Sequence, residues 1–404
     1  MEKPLPLSQN TKKNDIIPVI TNTAKTETNR ITQMIVKSDK TSICILCGTF
    51  LIVATISCGN QSQSNNRNQT VKAQTTESRI DSTRLKYTSG VRSILEDSKG
   101  NIWFGSYNEG VCLLHNGSLQ YFTTENGLSD NQVRSIYEDK NGIIWFECGR
   151  GLSIYDGQKV TVYKERNYNS KKQWKLTDND LWFKTDETVG YNKLEAHPGV
   201  YQYDGKNLYY RSFPIKLKSG EENSYSISTP FVRSKNGKVW FGTYSALFGY
   251  DGKQFRMIND DSLKLDSTEN LHIRCIMEDS KGNLWIGNNA GGSPVGGIGV
   301  LKYDGESFIH FTKQHQLRKE DTKGNSLDRV FSIGEDTSGN IWFGTVESGV
   351  WRYDGNSVKN FTKKDGLDGD MVWIIYKSKT GELWFGGGPN GVFRFNGKSF
   401  ERKF

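Results

Sequence analysis

Arginines and aromatic rings stand at matched places along this sequence. Arg92, Arg134 and Arg274 are each the second residue of a V/I-R-x-I run, and Phe331 and Trp373 hold the same place in two further copies. Tyr107 and Tyr244 follow tryptophan-bearing segments, and Arg150, Trp174 and Asn288 lie on nearby connections. Rings stack on the apolar faces of sugars, and a guanidinium grips a carboxylate or sulfate in a bidentate fork. Gathered at one mouth, these ten side chains would suit a sugar, particularly an acidic one. Singly, each arginine serves as well to solvate a strand end or to pair with a neighbouring acid.

Groups with catalytic chemistry are sparse. The histidines are His115, His197, His272, His310 and His315. His197 and His272 fall on longer connections, but no spacing brings them together. The sequence holds neither H-E-x-x-H nor G-x-S-x-G. Gly291-Gly292 and Gly296–Gly299 make a glycine-rich loop with no helix after it, so it does not read as a phosphate cradle. Cys112, Cys148 and Cys275 are scattered, and Cys44 and Cys47 form a C-x-x-C inside an apolar segment. That spacing argues against a zinc site and a disulfide framework. The expectation is a binding protein with no catalytic residue, no metal and no cofactor.

The elements that would position the mouth repeat. The copies VRSILEDSKGNIWFGSYNEGVCLLHNG (91–117), VRSIYEDKNGIIWFECGRGLSIYDG (133–157), IRCIMEDSKGNLWIG (273–287) and FSIGEDTSGNIWFGTVESGVWRYDG (331–355) share one frame. Trp103, Trp145, Trp182, Trp240, Trp285, Trp342 and Trp384 anchor it, at separations of 42, 37, 58, 45, 57 and 42. A core near 40 residues is the period of a propeller blade. Each unit reads as strand a (V-x-x-I-x-E-D), strand b (I-W-F-G-T), strand c (G-V-x-x-Y) and strand d (x-x-F-x). Asp-Gly pairs such as Asp354-Gly355 suggest type I′ turns between c and d. A lone four-stranded sheet cannot bury both faces, so the units must stack and close. The prediction is all-β: a seven-bladed β-propeller of four-stranded antiparallel blades, after an N-terminal signal segment and a disordered tether. Blade boundaries fall near 91–132, 133–172, 173–227, 228–272, 273–329, 330–371 and 372–404. Glu96-Asp97, Glu138-Asp139, Glu278-Asp279 and Glu335-Asp336 recur where the a–b turn begins, which points to organising that turn rather than to catalysis.

The ED-x-x-G-N-[IL]-W-[FI]-G-T runs and the following Y-D-G turns resemble the two-component regulator propeller family over roughly 91–404. The resemblance implies an extracytoplasmic sensor propeller of the kind found in hybrid histidine kinases. The third copy departs most: its strand a (Lys172–Asp178) is shortened and Lys184 replaces the glycine. The fourth has Arg233-Ser234 for Glu-Asp. No kinase segment follows the repeats before Phe404, so any signalling is expected to pass through a partner. The chain is also similar, more distantly, to the virginiamycin B lyase group, which implies a metal and a histidine base near the axis. A metal-dependent lyase or hydrolase and a protein–protein interaction scaffold are the alternatives to a glycan sensor.

Length variation sorts by face. The long connections are Thr185–Gly199 and Asn288–Gly297 between strands b and c, and Arg166–Gln173, Phe213–Ile227, Ile258–His272 and Lys313–Asp328 between d and a. In an up-and-down blade both kinds emerge on one face, the usual binding face of repeat proteins.

Residues 43–56 (ICILCGTFLIVATI) are uncharged, with Lys37 and Lys40 before them and Ser57-Cys58 after. The stretch is short for a span and suits the apolar part of a secretory signal. It resembles a bacterial lipoprotein signal, which implies cleavage before Cys58 and lipidation there, with a start at Met34. Gly59 in place of Asp then implies the outer membrane. Residues 58–82 are polar and read as a lipidated cysteine with a flexible tether, leaving 83–404 as the propeller. Formal net charge is +8; the first 57 residues hold 7 Lys/Arg and 4 Asp/Glu, leaving 46 against 41 on the rest. So thin a balance argues against nucleic acid. The expected partners are an extracytoplasmic glycan or other small ligand, a membrane sensor or envelope protein, and the membrane itself through the lipid.

Overall fold

The structure is a computed structural model. It describes residues 84–404 except 165–173, 175, 178, 185–198, 217–221, 266, 268, 290–295 and 390. Cys44, Cys47, Cys58, the signal and tether, His197 and Gly291-Gly292 lie outside the described residues. The described residues belong to one compact unit, Glu77–Phe404.

That unit is a seven-bladed β-propeller. Blade one runs a (Val91–Glu96), b (Ile102–Ser106), c (Val111–His115), d (Ser118–Phe122), each strand antiparallel to the next. Blades two, five, six and seven repeat this order, with strands a at Val133–Glu138, Ile273–Glu278, Val330–Glu335 and Val372–Lys377. Strands a of neighbouring blades adjoin, and that of blade seven lies beside that of blade one. In blade four strand a is reduced to Val232–Arg233. Among the described residues blade three has three strands, Leu181–Phe183, Gly199–Tyr203 and Leu208–Ser212.

Apolar side chains sit between blades rather than within them. Seven buried clusters are present among the described residues, one at each interface from one–two round to seven–one. The strand-b tryptophan supplies each contact. Trp103 lies 5.5 Å from Phe146 of blade two, Trp145 5.3 Å from Phe183, and Trp342 5.4 Å from Phe385. Burying one indole removes roughly 200 Å² from water, about 5 kcal/mol before entropy is counted.

A hydrogen-bonded staple holds that indole. Asp279 accepts from Lys281 N, Asn283 N, Asn283 Nδ2 and, at 2.8 Å, from Trp285 Nε1. Asp97, Asp139 and Asp336 do the same for Trp103, Trp145 and Trp342. Burial alone would raise the Asp97 pKa. The bonds from Trp103, Asn101 and Lys99 outweigh it and hold the carboxyl below its ordinary value. Its stabilisation is therefore present above the unfolded carboxylate value and is lost as pH falls through the lower folded one. The glutamate of each pair has a different task from the one expected. It reaches back to the preceding blade: Glu138 accepts from Ser98 N at 2.7 Å, Glu335 from Ser280 N at 2.8 Å and Glu278 from Lys235 N at 2.9 Å. Across the seam Glu96 takes Lys379 N of blade seven.

One sequence expectation about the turns needs correction. At Asp354-Gly355 only the glycine has positive φ, +97°, so the turn is not type I′. Asp354 stands before the two central residues, and its carboxylate accepts from Asn356 N and Ser357 N. The type I′ pattern occurs instead at Asn116-Gly117, with φ of 48° and 74°. The expected strand a of blade three, 172–178, lies in large part outside the described residues. Leu176 stands where the stapling aspartate would be, six residues before the tryptophan, and Trp182 Nε1 is buried without a partner.

The strand-b glycine is a close-approach position. A Cβ on Gly105 would lie 2.2 Å from Ser93 Oγ and 2.8 Å from Val133 Cγ1 of blade two. Val330 and Val372 crowd Gly287 and Gly344 in the same way. In blade two Glu147 replaces this glycine, facing the blade in which no strand a is described. Its side chain is 2% exposed, and it accepts from Lys184 N, 4.0 Å from Lys184 Nζ.

Two melting experiments test these packing arguments. Asp279→Ala leaves the Trp285 N–H buried and unpaired, and should cost about 2–3 kcal/mol, lowering Tm by several degrees. An unchanged melt would mean that the staple is not what holds the blade. Gly105→Ala should cost about 1–3 kcal/mol, whereas Gly388→Ala, with open space around it, should be nearly neutral.

Candidate functional site

In five blades strand a begins against the end of its strand b: Val91 pairs Ser106, Val133 Cys148, Ile273 Asn288, Val330 Thr345 and Val372 Gly387. In all five blades the register shifts between the first and third residues of strand a. The residues passed over are Arg92, Arg134, Arg274, Phe331 and Trp373. A bulge of this kind leaves one residue out of the ladder and re-aims its side chain. All five therefore leave the sheet at the end from which the b–c and d–a connections emerge.

The connections meet there. Glu269–Asn270, from the blade-four d–a connection, forms a parallel bridge with Gly296–Gly297 of the blade-five b–c connection. Arg329 donates from Nε to Asn289 Oδ1 at 2.7 Å and pairs with Glu347. Insertions of both kinds thus interlock on one face.

Two groups of ring and guanidinium form at the mouth. In the first, Trp373 lies 5.1 Å from the Tyr107 ring, and the Arg92 guanidinium sits over that tyrosine, 5.6 Å from the ring centroid. Tyr107 is 42% exposed, among the most exposed large hydrophobic side chains described. In the second, the Arg274 guanidinium lies 4.9 Å from the Tyr244 ring and 5.4 Å from Phe331. His272 meets Tyr244 edge-on at 4.9 Å. Burial, and then the Arg274 charge, lower the His272 pKa to about 4, so the imidazole is neutral at neutral pH.

The remaining candidates divide. Arg134 is buried and donates from Nε to Gln132 Oε1. Arg150 is largely exposed and lies 3.4 Å from Asp130. Asn288 is fully buried: its side chain accepts from His272 N and donates to Gly299 O, so it shapes the mouth without facing it. Trp174 lies between blades three and four, stacked on Trp182 at 5.5 Å with its Nε1 bonded to Ser212 O. The other histidines are elsewhere: His115 bonds Asn101, His310 lies 3.4 Å from Glu269, and His315 stacks on Phe311. Among the described residues no three His, Cys, Asp or Glu side chains are placed to hold a metal ion. Cys112, Cys148 and Cys275 are separate buried thiols whose pKa values burial raises. Sequence reasoning passed over Glu147, though its place in a glycine column was the available sign.

Comparison with known proteins agrees with this architecture. The extracellular domain of the putative hybrid two component system BT3049 from B. thetaiotaomicron superposes with a TM-score of 0.57 at 20% identity, over 78% of this chain and 40% of that one. Virginiamycin B lyase from Staphylococcus aureus gives 0.51 at 14% identity, over 76% of this chain and 96% of that one. In sequence, Histidine kinase P4 of Formosa agariphila is 25% identical over 274 residues, covering 55% of this chain and 18% of that protein. The chain thus spans under a fifth of this curated relative. The family model described as two component regulator propeller matches residues 88–108, 127–146 and 268–290, which are the strand a to strand b segments of blades one, two and five. The structure places those three matching segments in equivalent blades of one propeller, so three of its blades are similar to two component regulator propeller repeats.

Proposed function

We propose that the chain is an extracytoplasmic sensor propeller that recognises a glycan at this mouth and acts through a partner, such as a membrane sensor. The observation that carries the reading is the bulge that recurs in five blades and turns Arg92, Arg134, Arg274, Phe331 and Trp373 out at one end. Partly exposed rings beside guanidiniums give a surface on which a sugar can stack and hydrogen-bond at once. Among the described residues no helix is long and apolar enough to cross a membrane. Export by the N-terminal segment and anchoring through a lipid on Cys58 complete the proposal.

The test is a thermal-shift screen of the purified protein against neutral and acidic polysaccharides and their oligosaccharides, since a ligand of the native state raises its melting point. One glycan class should stabilise the protein. Trp373→Ala and Phe331→Ala should each weaken binding about tenfold or more, equivalent to about 1.4 kcal/mol, with the circular dichroism unchanged. Silence across the panel, with capture of an envelope protein instead, would replace the sensor by an interaction scaffold. Stabilisation by a divalent metal alone would favour the lyase.

A further inference from the structure

Two buried nitrogens at one corner of the mouth have no partner. Arg274 Nε and His272 Nε2 are both withdrawn from solvent, and neither makes a hydrogen bond. The arginine at the equivalent bulge of blade two is different, because Arg134 gives its Nε to Gln132. Buried polar groups left unpaired are rare, and each calls for an occupant or a cause. Here the two are held together. Tyr244 touches both residues, edge-on to the His272 ring and against the Arg274 guanidinium, which also lies 5.4 Å from the Phe331 ring. The backbone N–H of His272 is fixed by Asn288, and Arg274 is set by its bulge. The backbone of both residues is held in place, and these two side-chain nitrogens are unused.

We propose that His272 and Arg274, framed by Tyr244 and Phe331, form a subsite for an oxyanion of the ligand: a carboxylate, sulfate or phosphate. The proposal rests on reading the mouth as the ligand site and adds the chemistry of one group on the ligand. A guanidinium supplies a charge-assisted donor, and an imidazole beside it supplies a second. The positive field of Arg274 helps keep the imidazole neutral in the free protein. An oxyanion between them reverses that field, so binding should draw a proton onto His272. Affinity for the anion should then increase as pH falls through the raised pKa of the bound state toward the free value of about 4, because protons and anion bind together.

The experiment follows the His272 imidazole by NMR in the full protein, assigned with His272→Gln, against inorganic sulfate, glucuronate and glucose. Sulfate or glucuronate should raise the His272 pKa by a unit or more from about 4, and glucose should not. Arg274→Gln should raise the pKa of the free protein and abolish the further rise on adding anion. A stronger effect of glucuronate than of sulfate assigns the oxyanion to a sugar substituent; equal effects assign it to a free oxyanion. A His272 pKa indifferent to both anions in the unmodified protein overturns the subsite. The glycan reading would survive that result if a neutral glycan still stabilised the protein, so the two failures are distinguishable.

Discussion

The bond between an aspartate and the indole six residues after it governs this structure. Asp97, Asp139, Asp279 and Asp336 each close their own a–b turn and at the same time orient the tryptophan that fills the next interface. An indole is large enough to dominate an interface only if its N–H is satisfied. The carboxylate satisfies it and is itself saturated by backbone donors. One residue therefore ties the geometry of a turn to the packing between blades. The adjacent glutamate links the turns of successive blades at four interfaces and makes a partial belt on that side of the disc. Where the aspartate is replaced the indole finds another solution or none: Trp384 donates to Glu382, and Trp182, six residues after Leu176, has a buried N–H without a partner.

A belt of this kind divides labour between the faces. The a–b side is committed to structure, since most of its carboxylates accept from defined backbone donors. The opposite side carries the bulges, whose side chains are released from the ladder, and the insertions, which bond chiefly to one another. A mouth can vary there without disturbing the staples beneath it. Glu147 shows the limit of that freedom. The glycine column is closed to side chains wherever a neighbouring strand a presses against it, and a charged residue enters at the interface facing blade three.

Much of this was readable from the chain. Tryptophan spacing gave the blade number, because the residue that repeats is also the residue that packs. The side on which the long connections emerge was readable from loop lengths, because the a–b turns are short throughout. Other features depended on relations no single copy displays. V-R-x-I reads as plain strand, and only the pairing with strand b reveals the bulge at Arg92 or Trp373. Asp-Gly reads as a two-residue turn until the hydrogen bonds show that Asp354 lies outside it. Asn288 and Trp174 have the right composition for a mouth, but the one turns its amide inward and the other fills a gap between blades. The two unpaired nitrogens of His272 and Arg274 became visible only once burial was known.

The ring closes without sharing a strand between its ends. Blade seven comes wholly from the last residues of the sequence and blade one from the first ones described. Their seam is held by Phe404, 5.1 Å from Phe104 and 5.2 Å from Trp384, and by the Glu96 link to Lys379. A strap before strand a crosses the same seam. Tyr87 donates to Phe104 O, Thr88 and Ser89 bind the Glu109 carboxylate, and Gly90 O accepts from Tyr107 N. In mechanical terms, this makes the strap the load-bearing element. A pull on the chain ahead of Arg84 reaches these bonds before it reaches any blade. The turn that carries them also carries Tyr107, so tension at the entry to the propeller and the posture of its mouth are joined through one short piece of backbone.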